Sequence, residues 1–480
     1  MTFYFYDLET SGFSCRDDRI MQFAGQRTDM DLNSMGKPDN ILIKLSSDVL
    51  PEPGAVLVHG ISPQQASVKG ITEAEFCRFL TSQVSKKDTI IVGYNNIRFD
   101  NEFIRFTLWR NFHDPYEWSW KDGCSTWDLL DVVRMTRALR PAGIKWPFAP
   151  NGKPSSKLEY LSAINKLDHT DAHDALSDVN ASIALARLVK EKQLKLFEYL
   201  LNLRSKDKVR PLVTKGDPLV YTSGRYSSEF EKTTIVVNLV ERADKSGALM
   251  YDLRIDPDEF KDLPPSELAE RWKDRSDAAP YFPVKELKYN RCPAIAPLNA
   301  LDKPGLERLK IHQELIDSHL KKLKKIAGFG DRLLKAQEIM WPKRQPDLIV
   351  DEQKVDTQLY DGFAASEDKI KMSMVRAAGQ NELKGLTVDF RDERLKVLFP
   401  LYKARNFPVI LTESEKKRWE DFCWQKLVSG GEKSKLSRFF RQIEELSNTP
   451  GLTLDKRQLL ADLKNYGQSI IPAALVAARA

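Results

Sequence analysis

Cysteine is scarce: Cys15, Cys77, Cys124, Cys292 and Cys423 are scattered over 480 residues, with no C-x-x-C pair. That spacing excludes a disulfide framework, gives no support to a zinc site, and fits a reducing compartment. No run of about 18 apolar residues is present, so no segment is expected to span a bilayer. The first residues lead straight into a strand, without the basic, apolar and small-residue regions of a secretory signal, and a cytoplasmic protein is expected. Charge of one sign is not in large excess either. Lysine and arginine number 74 against 68 acids, a balance of +6 that permits a polyanionic partner without requiring one. A hydrophobic content of 42% and a charged content of 30% describe an ordinary globular chain. Its length suits roughly two to four domains.

The stretch Phe3-Tyr4-Phe5-Tyr6-Asp7-Leu8-Glu9-Thr10 is aromatic and apolar up to Tyr6, as in a buried strand. Asp7 and Glu9 then fall on one face of it, because side chains alternate along a strand. Adjacent carboxylates repel unless a cation lies between them, and a divalent metal with hard oxygen ligands is the natural candidate. Residues 1–193 alternate strand and helix patterns: strands at Met21–Ala24, Ile41–Leu45 and Asp88–Asn95, helices at Thr72–Val84 and Asn96–Arg110. This predicts an α/β domain, whose chemistry gathers beyond the strand ends. Asp100 follows one of those strands at the head of a helix. His173 and Asp178, in His173-Asp174-Ala175-Leu176-Ser177-Asp178, precede and enter an amphipathic helix. Five positions are about 140° around a helix, so His173 belongs in the loop and Asp178 one turn inside.

Taken jointly, these residues resemble the DEDD superfamily of 3′→5′ exonucleases, in its histidine-containing subgroup. The longer phrases narrow the resemblance to the exonuclease I family of bacterial single-strand DNA exonucleases, over essentially the whole chain. They are Gly93-Tyr94-Asn95-Asn96-Ile97-Arg98-Phe99-Asp100, Arg110-Asn111-Phe112-His113-Asp114-Pro115-Tyr116-Glu117-Trp118-Ser119-Trp120, Trp127-Asp128-Leu129-Leu130-Asp131-Val132, Gln358-Leu359-Tyr360-Asp361-Gly362-Phe363 and Ala404-Arg405-Asn406-Phe407-Pro408. The resemblance implies a ribonuclease H-like α/β exonuclease domain at 1–193, a small β-barrel of the Src-homology-3 type at 194–345 and a helical domain at 346–480.

It also implies two Mg²⁺ ions, replaceable by Mn²⁺, held by Asp7, Glu9, Asp178 and Asp100, with His173 as general base. Asp174 is the rival for Asp178, which the family spacing favours. Single-stranded DNA is the implied substrate, single-strand DNA-binding protein an implied partner, and the monomer the implied state. Glu9 and the His59-Gly60-Ile61-Ser62 loop would hold the terminal nucleotide, and Lys157, where a relative carries arginine, would be a phosphate ligand. Gln358, Tyr360 and Arg405 would touch DNA far from the metals.

Residue types support the substrate class independently. Arg105 to Trp120 interleaves basic and aromatic side chains, and each base–aromatic stack is worth roughly 1–3 kcal/mol without reading sequence. Arg105, Tyr116, Trp120, Arg134 and Lys157 are the expected contacts, while Phe112 and Trp118 are expected in the core. A non-catalytic single-strand binder would be expected to have lost an acid, and an RNA-trimming enzyme on the same core to lack the long extension.

Beyond residue 194, Thr233–Arg242 and Ala248–Ile255 read as strands around a turn, Pro218–Ser223 and Val284–Tyr289 as a second pair, and Ser266–Trp272 and Leu306–Leu334 as helices. The basic run Lys321–Lys325 reads as a solvated face. Pro342–Gln353 reads as a linker, followed by helices at Ser414–Leu427, Leu436–Leu446 and Lys456–Tyr466. Gly430-Gly431-Glu432-Lys433-Ser434 lacks the leading glycine spacing and the strand of a phosphate loop.

Overall fold

The computed structural model describes residues 1–167, 174–274, 281–341 and 350–470; His173 and most of the expected linker lie outside them. The first sheet contains β1 (Thr2–Thr10), β2 (Ile20–Thr28), β3 (Asp39–Leu42), β4 (Thr89–Gly93) and β5 (Ser125–Asp128), in the order β3-β2-β1-β4-β5. β1 is antiparallel to β2 and parallel to β4, which is parallel to β5. Alternation along β1 explains its central place: Phe3 and Phe5 enter one core with Trp127 and Val179, Tyr4 and Tyr6 the other with Phe23 and Phe76. Pairing with β4 ends at Phe5↔Val92, so Tyr6 to Thr10 run on past the carboxyl end of β4. Asp7 and Glu9 therefore overhang the crevice where ligands of open α/β sheets bind.

Helices α1 (Pro53–His59), α2 (Pro63–Lys69) and α3 (Glu73–Phe79) follow β3, and α4 (Asp100–Arg110) follows β4. The expected helix at Thr72–Val84 is α3, opened by a Thr72–Glu75 capping box and continued through a wider turn over Leu80–Val84. The expected helix at Asn96–Arg110 is divided: a tight turn over Asn96–Arg98, then α4 from Asp100. Next come α5 (Leu129–Leu139), α6 (Leu158–Asn165) and α7 (Ala175–Lys192), the last packed on β1 and β2.

After α8 (Leu194–Asn202) and α9 (Lys206–Thr214), a second, antiparallel sheet contains β6 (Leu219–Thr222), β7 (Thr233–Glu241), β8 (Gly247–Asp252), β9 (Val284–Lys288) and β10 (Ala294–Pro297). Its order is β10-β6-β7-β8-β9. The hairpin at 243–247 is as expected, with Asp244 Oδ1 accepting from the Ser246 N–H at 3.0 Å. The second pair is not: β6 and β9 are both strands, but β7 and β8 lie between them. β6 takes β10 on its outer edge instead, a four-residue strand ending in Pro297 that is too short for periodicity to reveal.

Of the flanking helices, α10 (Pro265–Lys273) covers the expected segment, whereas Leu306–Leu334 is broken into α11 (Lys303–Arg308), α12 (Gln313–Leu323) and α13 (Phe329–Met340). Lys310 and Gly328, with φ of 51° and 64°, make the breaks. One apolar cluster is continuous from Phe3 through α5 to Met340, so this second unit is docked on the nuclease sheet.

The remaining helices are α14 (Ser366–Ala377), α15 (Gln380–Gly385), α16 (Glu393–Asn406), α17 (Glu413–Leu427), α18 (Lys435–Ser447) and α19 (Leu454–Ser469). They bind the nuclease part in two places. Phe106, Trp109 and Phe112 of the α4 region share a core with Leu398 and Tyr402, and Val56 of α1 packs among Phe439, Ile443, Leu460 and Leu463. Among the described residues no helix is long and apolar enough to cross a membrane.

Candidate active site

The overhanging end of β1, the turn after β4, the head of α4, the first turns of α7 and the 154–159 segment line a cleft of about 610 Å³. Asp7, Glu9 and Asp178 each offer a carboxylate oxygen there, all within 4.8 Å of one another. Helix geometry decides between the two aspartates of the last motif. Asp174 is the N-cap of α7, its side chain accepting from the Ser177 N–H at 3.1 Å, whereas Asp178 lies one turn inside and joins the carboxylate group.

These acids strain one another. Burial holds the Asp7 carboxyl far above the usual range, and the charges acting most strongly on it are Asp100, Asp178 and Glu9. Burial, Asp178 and Asp100 push Glu9 up to about 8. Such a set keeps its charge at neutral pH only with a cation among the oxygens. Hard, closely spaced carboxylates in a cleft open to solvent fit a divalent metal.

Asp100 stands outside the three-residue group but in the same cleft. Burial and Asp128 push it up to about 8. Its placement depends on the turn before it. Asn95 adopts φ 71°, and the Asp128 carboxylate accepts the N–H groups of Asn95 at 2.9 Å and Ile97 at 3.3 Å while capping α5 through Leu130. Gly93 is required here, since a Cβ would fall 2.6 Å from that of Asn96. Asp128 thus orders the turn that carries Asp100. Sequence reasoning passed over it, although it lies in one of the quoted phrases.

Lys157 precedes α6 at the rim, two-thirds exposed, with its ammonium 3.2 Å from Glu159 and over the Tyr160 ring. Arg134 lines the cleft from α5, held by Asp131 at 2.8 Å. Arg137 and Lys232 line it too and were not foreseen; Arg137 pairs with Glu231 at 2.8 Å, and Lys232 comes from the second unit. His59 does not line this cleft: it ends α1, and its Nδ1 accepts the Ile61 N–H at 3.0 Å.

A second group forms on α4 away from the carboxylates. Arg105 lies 5.5 Å from the Tyr116 ring centre and donates to Glu102 at 2.7 Å, and the Tyr360 hydroxyl donates to the same carboxylate. Tyr116 also meets Phe363, 85% exposed and not foreseen, at 6.0 Å. Trp120 is exposed, while Phe112 and Trp118 are core.

Two expected DNA contacts need correction. Arg405 is buried and donates to Asp356 twice at 2.8 Å and to Asp48 at 2.8 Å, which leaves no face for a phosphate. Gln358 is buried in the tight turn over Val355–Asp361, where Arg394 donates to its backbone carbonyl at 2.8 Å. Both are interior positions of the contact between the C-terminal helices and the nuclease part.

Family models match three consecutive stretches: "Exonuclease" at 4–186, "Exonuclease I SH3-like domain" at 204–336 and "Exonuclease I C-terminal domain" at 353–470. Exodeoxyribonuclease I of Haemophilus influenzae is 37% identical over 98% of this chain and 99% of its own length. That of Escherichia coli is 40% identical over 87% of this chain and 88% of its own. Among solved structures, exonuclease I from Methylocaldum szegediense superposes with a TM-score of 0.91 at 39% identity, covering 98% of this chain and 100% of that one. The E. coli enzyme in complex with a dA16 oligonucleotide gives 0.90 at 36%, again over 98% and 100%. Full-length similarity of this order, on a chain whose three parts each match that family's own model, places it: this protein belongs to the exodeoxyribonuclease I family.

Proposed function

We propose that the chain hydrolyses single-stranded DNA from the 3′ end, releasing nucleoside 5′-monophosphates. The observation that carries the reading is the Asp7–Glu9–Asp178 group, within 4.8 Å and overhanging a cleft of about 610 Å³. Asp7, Glu9 and Asp178, with Asp100 beyond them, would hold two Mg²⁺ ions, or Mn²⁺ in their place. Bound there, the ions supply a nucleophilic water at neutral pH and neutralise charge on the phosphate.

The chain's own groups do the rest. His173, five positions before Asp178, takes the proton of the attacking water. Lys157 and Arg134 orient the phosphates from the rim. Asp128 keeps the Asn95–Ile97 turn, and so Asp100, in place. Arg105, Tyr116, Trp120, Tyr360 and Phe363 offer charge and ring faces to unpaired bases, a sequence-tolerant grip that a duplex cannot use.

The reading takes the protein as a cytoplasmic monomer of three parts, 1–193, 194–345 and 346–480, a division supported by the limits of the family models. Relatives support the partners: the E. coli enzyme is solved with a dT13 oligonucleotide, and a relative of 36% identity in an "ExoI/SSB-Ct complex". A degradation assay on 3′-labelled single-stranded DNA, duplex DNA and RNA tests it. Loss of the single strand alone, as mononucleotides, is expected; equal attack on RNA would favour the trimming alternative, and binding without hydrolysis the non-catalytic one.

A further inference from the structure

Tyr6 and Asn101 are the chain neighbours of two expected metal ligands, Asp7 and Asp100, and they are bonded to each other. The Tyr6 hydroxyl donates to the Asn101 side-chain oxygen across 95 positions of chain. Both residues are buried, at 3% and 2% exposure. Alternation along β1 turns Tyr6 away from the face of Asp7 and into the core that Phe103 and Ile104 of α4 share. Its ring is held there by Phe23, stacked at 5.9 Å, and by Trp118, edge-on at 6.4 Å. Those contacts need only the ring. A phenylalanine would make them, and a buried hydroxyl is tolerated in such a place only because it has an acceptor. Tyr4, on the same face, sends its hydroxyl instead to Asp39 of β3 at 2.6 Å, so the bond to α4 is particular to Tyr6.

The backbone explains why a tie is needed at that point. The ladder between β1 and β4 ends at Phe5↔Val92, and beyond it β1 is laddered to β2 alone, as far as Thr10. Helix α4 starts without a side-chain cap, Phe99 before it having φ −125° and ψ −76°. Asp7 and Asp100 therefore come from two segments beyond the last strand pair, and each lies one peptide from the Tyr6–Asn101 bond. We propose that Tyr6 and Asn101 are positioning residues of the metal site: their bond fixes the end of β1 against the first turn of α4, and so sets how far Asp100 stands from Asp7, Glu9 and Asp178. The inference rests on the metal-dependent reading above. Mg²⁺ accepts little departure from octahedral geometry at about 2.0–2.1 Å, so a displaced carboxylate is felt as lost affinity. Supporting hydrogen bonds around a metal site are worth about tenfold or more in that affinity.

Tyr6→Phe removes the hydroxyl and keeps the ring, Asn101→Leu removes the acceptor, and the double variant removes both. For the full chain, the Mg²⁺ concentration that gives half of the metal-induced rise in melting temperature is measured, together with the Mg²⁺ dependence of mononucleotide release and the affinity for fluorescent oligothymidylate in EDTA. Each single variant should need about tenfold more Mg²⁺ in both metal titrations, and the double variant no more than either, because one bond is lost in all three. Oligothymidylate affinity should stay within about twofold of wild type, since the bond touches no DNA contact.

Single effects that multiply to about a hundredfold in the double variant would mean that the two side chains act separately. Mg²⁺ half-saturation at the wild-type value in both single variants, whatever their melting temperatures, would reduce the bond to packing. Either result overturns the positioning role, and so does a loss of oligothymidylate affinity as large as the loss for Mg²⁺. Asn101→Leu keeps the test open should Tyr6→Phe not fold. A wild-type chain whose melting temperature does not respond to Mg²⁺ would instead remove the metal-dependent reading, and the positioning role with it.

Discussion

Arg19, in the turn before β2, donates to the Asp356 carboxylate at 2.9 Å across 337 residues of chain. The contact belongs to a buried network in which Asp48 and Asp356 face Arg19, Arg405 and Lys426. Despite burial, these cations hold both carboxyls below their ordinary range. A depressed folded pKa adds stability above the unfolded value of about 3.9 and loses it as pH falls toward the folded one. Docking of the C-terminal helices should therefore weaken below about pH 4. Asp356→Asn leaves three buried cations short of a partner and should cost about 3–5 kcal/mol in urea denaturation. A change within error of zero would mean that the network does not hold the two parts together.

The carboxylate group has the opposite sign. Glu9 titrates near 8 when no cation is bound, so between about 4.3 and 8 the folded state holds a proton that the unfolded state has released. Stability of the metal-free protein should fall as pH rises through that window. Glu9→Gln should raise the melting temperature in EDTA at pH 8 by a few degrees and reduce the further rise on adding Mg²⁺. Calorimetry with and without metal reads both effects.

Glu102 accepts from Arg105 at 2.7 Å, from Arg291 of the second unit at 3.4 Å and from the Tyr360 hydroxyl of the C-terminal part. One carboxylate thus ties all three parts beside the aromatic group. Glu102→Gln should shorten the run of cleavages per binding event in a trap experiment with excess unlabelled strand. Tyr116→Ala should weaken oligothymidylate binding by about 1–3 kcal/mol if its ring stacks on a base. Equal run lengths and affinities would place the DNA elsewhere.

His173→Ala should lower the rate by roughly 10²–10⁴, with little change in metal affinity, because that is the usual worth of a general base. A metal affinity that collapses, with a rate that recovers at saturating metal, would make His173 a ligand.

Much of the site was legible because its residues follow local rules. Asp7 and Glu9 share a strand face by alternation, Asp100 heads a helix, and Asp178 falls one turn inside the last helix of the domain. What escaped depends on distant partners. Asp128 matters through backbone N–H groups more than thirty positions earlier. Arg405 misled for the same reason: a basic residue in a family phrase looks like a phosphate ligand until Asp48 and Asp356 are seen around it. The short β10 displaced the expected pairing of β6 with β9 because four residues carry too little pattern.

The central claim is that Asp178, with Asp7 and Glu9, forms the metal-dependent hydrolytic centre, while Asp174 four positions earlier serves the helix. Asp178→Asn and Asp174→Asn differ from wild type by one atom type at neighbouring turns, and both can be assayed on 3′-labelled single-stranded DNA in Mg²⁺. The expected result is loss of mononucleotide release by about 10³-fold or more for Asp178→Asn, in keeping with removal of a metal-site charge. Asp174→Asn should keep most activity and lose at most about 1 kcal/mol of stability, since Asn also caps a helix. Turnover near wild type in Asp178→Asn would contradict the account, whatever Asp174→Asn does.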